Sequence, residues 1–165
     1  MTNETLMKLW MPVTKSADNK FVGILSDTSI DRDEERMSKE LIRAWANDNE
    51  VLPALANHTN KMQSLVGGWK NLRVVERGGH FALVAEPFFF SKDANPLSAQ
   101  IQKQVEEAIE NGLNVGISIG AIPTESKEEN VEGKSFRVWT KAELVEATWV
   151  PIQSNRNASF GAIAK

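Results

Sequence analysis

The apolar residues of this chain arrive in short runs, such as FVGIL at 21–25, VLPALA at 51–56 and VGISIGA at 115–121, each broken off by glycine or polar residues. Runs of that length suit strands, because a helix shows its apolar residues three and four positions apart over a longer stretch. The most restrictive case is NLRVVERGGHFALVAEP, where Gly78-Gly79 separates two alternating segments. A tight primed turn needs positive φ at both central positions, so the pattern predicts an antiparallel hairpin pairing 72–77 with 80–85. Asn114–Ala121, Phe136–Thr140 and Leu144–Val150 read as further strands, with Pro151 closing the last. Only two segments repeat at helical spacing. Ser38 caps one that runs to about Asn47 with Leu41, Ile42 and Trp45 on one face. Asn95 and Pro96 start the other, whose stripe is Leu97, Ile101, Val105, Ala108 and Ile109, and Asn111-Gly112 ends it. Six or seven short strands, two helices and no alternating strand–helix rhythm predict an α+β fold, mainly an antiparallel barrel or sheet flanked by helices.

A length of 165 residues favours one domain, spanning 1–165. Within it the N-terminus is expected to be flexible, the charged stretch TESKEENVEGKS at 124–135 to be a mobile loop, and the tail QSNRNASFGAIAK to be weakly structured. Net charge is -3 and the Lys and Arg residues are scattered, so no basic footprint argues for nucleic acid. The absence of cysteine excludes disulfides and thiol catalysis. Two histidines, His58 and His80, argue against a multi-histidine metal site. The acidic stretch SDTSIDRDEER lacks the glycine and terminal glutamate of a calcium loop, and reads as a solvated segment. No metal or other cofactor is expected. The N-terminus lacks the pattern of a secretory signal and no apolar run reaches bilayer length, which predicts a cytoplasmic setting without a membrane partner.

Gly116-Ile117-Ser118-Ile119-Gly120 has the written form of a nucleophile elbow, G-x-S-x-G. In α/β-hydrolases that serine stands between a strand and a helix and the histidine comes last in the chain. Here both histidines precede Ser118 and no helix begins at Ile119, so the hydrolase reading is rejected. A serine hydroxyl still needs a base to accept its proton, and the triad recurs in other chain orders on unrelated folds. The order available is histidine, serine, carboxylate. His58 leaves an apolar run at a loop, where a base commonly stands. His80 begins the second hairpin strand and reads as solvated.

Three ordered segments carry a resemblance. VLPALANHTN is an apolar run into histidine, followed by LVGGW. AIENGLNVGISIGA is a helix ending in glycine that leads into the Gly-x-Ser-x-Gly strand. LVEATWVP is a strand with an acid two residues before a small hydroxyl residue. SIDRDEERMSKELI adds an acidic loop before the first helix. In this order the chain resembles the prohead maturation proteases of tailed phages, serine peptidases whose fold is related to the herpesvirus assemblin protease. The likeness spans most of 21–151, with Thr148 in place of the usual serine and a longer stretch after Pro151.

The resemblance implies an assemblin-like fold with Ser118 as nucleophile and His58 as general base. Glu146 falls where the family carries its strand-borne acid, and Glu143, three residues earlier, is the competing candidate, on the opposite face if the strand is regular. Gly116 and Gly120 are expected to let a substrate backbone approach Ser118. The implied substrates are a phage scaffold and extensions of the major capsid protein, cut inside the assembling procapsid in the host cytoplasm. Self-cleavage and assembly into dimers or larger homo-oligomers are implied as well. Two other readings compete: a non-catalytic assembly or scaffolding module that keeps the fold, and an unrelated β-rich binding domain in which Ser118 merely packs.

Overall fold

The computed structural model describes residues 21–113, 115–152 and 155–162. The N-terminal segment expected to be flexible lies outside them, as do Asn114 and parts of the C-terminal tail. Among the described residues eight strands occur in chain order: β1 (Phe21–Asp27), β2 (Glu35–Met37), β3 (Val51–Ala56), β4 (Leu65–Arg77), β5 (His80–Phe89), β6 (Gly116–Val131), β7 (Lys134–Val150) and β8 (Ser159–Ala162). Among the described residues two α-helices interrupt them, α1 (Lys39–Asp48) and α2 (Pro96–Glu110). The class is mixed α and β, with one sheet curled into a half-barrel.

Both helices begin where their capping residues require. The Ser38 hydroxyl accepts from the Leu41 amide at 3.1 Å, satisfying one of the donors a helix start leaves open. Asn95 does the same for the Leu97 amide at 3.1 Å, with Pro96 in the first turn, where its missing N–H costs nothing. Leu41, Ile42 and Trp45 of α1 and Val105 and Ile109 of α2 are buried against the sheet. The β4–β5 hairpin turns at Gly78 and Gly79 with φ of 55° and 80°, the primed conformation that the Gly-Gly pair predicts.

The sheet order is β2-β7-β3-β4-β5-β1-β8-β6, and β6 pairs back onto β7, so the ladder curls over itself. Most neighbours are antiparallel, as expected. The exceptions meet on β7, which runs parallel to β2 over Arg137–Trp139 and parallel to β3 over Ala147–Trp149. A long strand can take different partners along its length, and β7 does so on the side away from β6. One face of the sheet holds the core. Trp69 and Trp149 meet there at 4.9 Å between ring centroids, and Phe89 stacks on Trp149 at 5.5 Å. The indole N–H of Trp69 donates to the Ala147 carbonyl at 3.1 Å, tying the core to β7.

Three expectations are corrected. The segment 124–135 is no loop: β6 and β7 form a continuous hairpin that turns at Glu132-Gly133, with φ of 52° and 81°. Its charge run conceals strands because both faces of the distal hairpin are exposed, so alternation of polarity is absent. Ions are paired across it instead, Lys141 with Glu125 at 3.1 Å and Arg36 of β2 with Glu129. The two strands read at 136–140 and 144–150 are accordingly one, β7. Part of the tail, 159–162, is β8, which pairs antiparallel with β1. Among the described residues no helix is long and apolar enough to cross a membrane.

Candidate active site

β7 is flanked over its last residues by β6 on one side and β3 on the other, and the site is built across these three strands. Ser118 stands opposite Thr148, and Gly120 opposite Glu146, in the β6–β7 register. Directly opposed residues share a face. Their neighbours Ile117, Ala147 and Trp149 belong to the core. Strand alternation therefore sends Ser118, Gly120, Glu146 and Thr148 to the face away from Ile117, Ala147 and Trp149.

Regular alternation would put Leu144 on that side as well, yet Leu144 is buried in the core. The register explains why. Gly120 faces Glu146 and Ala121 faces Leu144, which leaves Val145 unopposed as a β-bulge. One extra residue reverses the parity of the strand and re-aims the side chains beyond it. Leu144 enters the core, while Glu146 turns outward toward the serine. The expectation that Glu143 lies on the face opposite Glu146 assumed a regular strand and is corrected for the same reason. Glu143 also points outward, but it is exposed and stands opposite the exposed Ile122.

The histidine arrives from β3. Past Ala56 the chain makes a tight turn in which Thr59 N–H donates to the Ala56 carbonyl at 3.2 Å, with Asn57 and His58 both left-handed at φ of 53° and 55°. This is the primed geometry that glycine and asparagine favour, and a residue with a Cβ there costs about 1–2 kcal/mol. The turn swings the imidazole back over β7. There His58 Nδ1 lies 2.5 Å from Glu146 Oε1, and His58 Nε2 lies 2.9 Å from Ser118 Oγ.

The partners assign the roles of the two ring nitrogens. An ionised carboxylate only accepts, so Nδ1 carries the proton and Nε2 is left as an acceptor for the serine hydroxyl. Serine, histidine and carboxylate are thus connected in series, in the geometry of a general base held by an acid. The His58 side chain is 43% exposed and that of Glu146 10%, so the carboxylate is roofed by the ring it holds while the reacting edge stays open to solvent. Burial is the main influence on Glu146 and pushes its carboxyl above the usual glutamate value, against the opposing pull of His58. Consistent with this, Glu146 Oε2 is buried without a hydrogen-bond partner among the described residues.

Gly120 has a different task from the one its spacing suggested. A Cβ at this position would meet Glu146 Oε1 at 2.3 Å, so the missing side chain makes room for the carboxylate. Thr148, which the sequence marks only as a departure from the usual serine, is fully buried and accepts the His58 backbone N–H at 3.0 Å. His80 sits beside the Gly78–Gly79 turn, opposite Arg77. Among the described residues no group of three histidine, aspartate or glutamate side chains is placed to hold a metal ion.

A cleft of about 230 Å³ opens beside Ser118, between Ile117–Ile119 of β6 and the end of β1. Asp27, at that end, is 4% exposed and is held by Asn155 at 3.0 Å and Asn157 at 2.7 Å. Asp31 and Asp33 of the following loop also line the cleft. Comparison with known proteins finds no matching family model, no matching curated protein and no matching solved structure.

Proposed function

We propose that the protein is a serine endopeptidase in which Ser118 is the nucleophile, His58 the general base and Glu146 the acid that orients the base. One observation carries the reading: the unbroken chain of contacts from Ser118 Oγ through both nitrogens of His58 to Glu146. Ser118 Oγ attacks the scissile carbonyl carbon while its proton passes to His58 Nε2. Glu146 stabilises the imidazolium through Nδ1. The tetrahedral intermediate collapses, and Nε2 returns the proton to the leaving amine. Water, deprotonated by the same base, then hydrolyses the acyl-enzyme.

The ordered motifs around His58, Ser118 and Glu146 support a narrower proposal. The peptidase belongs with the prohead maturation proteases, has an assemblin-like fold and works as a homo-oligomer inside the assembling phage procapsid in the host cytoplasm. Its substrates are the scaffold and extensions of the major capsid protein, and it also cleaves itself.

A fluorophosphonate probe, which forms a covalent adduct with activated serines, tests the core of this reading. The wild-type protein is expected to gain one adduct, mapped by mass spectrometry to Ser118, and Ser118→Ala to gain none. A wild-type protein left unlabelled, or a Ser118→Ala variant labelled at the wild-type rate, would overturn it and favour a non-catalytic assembly module.

A further inference from the structure

We infer that Thr148 is the positioning residue of the base: its hydroxyl anchors the backbone of His58 so that the imidazole meets Ser118. The inference rests on the peptidase reading and adds a residue to it. Two anchors are needed to hold a ring in place. Glu146 grips His58 at Nδ1 and Ser118 meets it at Nε2, but both contacts are on the ring and leave the backbone that carries it unfixed. The second grip is on the main chain, where His58 N–H donates to Thr148 Oγ1 at 3.0 Å.

Thr148 is suited to this in three respects. It is fully buried. It lies between the other two strands of the site, opposite Ser118 on β6 and Leu55 on β3, so its Cα is tied to both the nucleophile's strand and the strand that delivers the base. Its branched Cβ leaves few rotamers, which keeps Oγ1 where the amide needs it. Two residues earlier on the same face, Glu146 provides the other anchor, so one strand carries both grips and the distance between them is set by the strand repeat. The held residue has φ of 55°, a conformation with little intrinsic preference, and an anchored N–H keeps the chain there. Thr148 acts through His58 and takes no part in bond making.

The test compares Thr148→Val, which keeps the shape and removes the hydroxyl, with Thr148→Ser, which keeps the hydroxyl. Fluorophosphonate labelling gives the maximal rate and the half-saturating concentration separately. Thr148→Val is expected to lower the maximal rate about 10- to 100-fold, with half-saturation within about twofold, as for a misplaced base. Thr148→Ser is expected within about threefold of wild type, since the anchoring hydroxyl remains. A Thr148→Val protein with the wild-type rate would overturn the inference, as would a Thr148→Ser protein impaired to the same degree, since packing and not the hydroxyl would then matter. Should Thr148→Val fail to fold, amide exchange in the wild-type protein decides: the His58 N–H is expected to be protected, and exchange at the rate of a free amide would overturn the anchor. A wild-type protein that the probe leaves unlabelled counts against the peptidase reading, and the exchange measurement then judges the anchor by itself.

Discussion

Glu143 and Glu146 are chemically identical, three positions apart and on the same side of β7, yet only Glu146 reaches the imidazole. What separates them is the residue across the strand pair. Glu146 faces Gly120, whose bare Cα leaves space for the carboxylate to fold under His58. Glu143 faces Ile122 and extends into solvent. Removing the negative charge at each position should therefore have unequal effects. Glu146→Gln is expected to slow labelling of Ser118 by about 10²- to 10⁴-fold, because an amide neither fixes the productive tautomer nor stabilises the imidazolium. Glu143→Gln is expected to label at the wild-type rate. The reverse ranking, read from labelling time courses of the two purified variants, would transfer the acid's role to Glu143.

At the level of elements, the aim of Glu146 is a property of β7 and not of the glutamate. The bulge at Val145 lets an apolar and a charged residue two positions apart point to opposite sides of one strand. Deleting Val145 makes Leu144 the immediate neighbour of Glu146, and regular alternation then keeps the two on opposite faces across the same partners, Ala121 and Gly120. The shortened protein is therefore expected to fold and to label Ser118 at the wild-type rate. A folded deletion variant that labels as slowly as Glu146→Gln would show that the bulged backbone itself, and not the parity it sets, aims the acid. The same strand pair explains the charged hairpin beyond the site, where cross-strand ion pairs take the place of a buried face.

For the molecule as a whole, burying a carboxyl group links the site to global stability. Burial raises the Glu146 carboxyl above its ordinary value of 4.5, so at a pH between the two the folded protein holds a proton that the unfolded chain has released. Stability from this group is then fully present below the unfolded value and is lost as pH rises through the folded one. Catalysis runs the other way, since Glu146 must be ionised to support the imidazolium. Titration of the Glu146 carboxyl carbon by NMR is expected to give a midpoint above 4.5. A midpoint below that value would mean that the His58 contact outweighs desolvation. The fold thus gives up some stability near neutral pH to hold a charged acid beneath a half-exposed histidine. The core supports that arrangement from behind, through the Trp69 bond to the Ala147 carbonyl between Glu146 and Thr148.

By itself the sequence determined what is local. Capping residues start both helices, Gly78-Gly79 folds its hairpin, and the order of three motifs singled out the histidine and serine that lie within hydrogen-bond reach of each other, with Glu146 preferred over Glu143 as the acid. Each depends on neighbours a few positions away, or on residue types too scarce to leave alternatives, as with two histidines in the chain. The tertiary structure alone decided the parallel seat of β3 on β7, the bulge at Val145, the space at Gly120 and the grip of Thr148 on His58. The hairpin of β6 and β7 belongs with these, because strands exposed on both faces carry no period-two signature. Those features are relations between residues distant in the chain, and a pattern read along one strand holds no record of which strand will lie beside it.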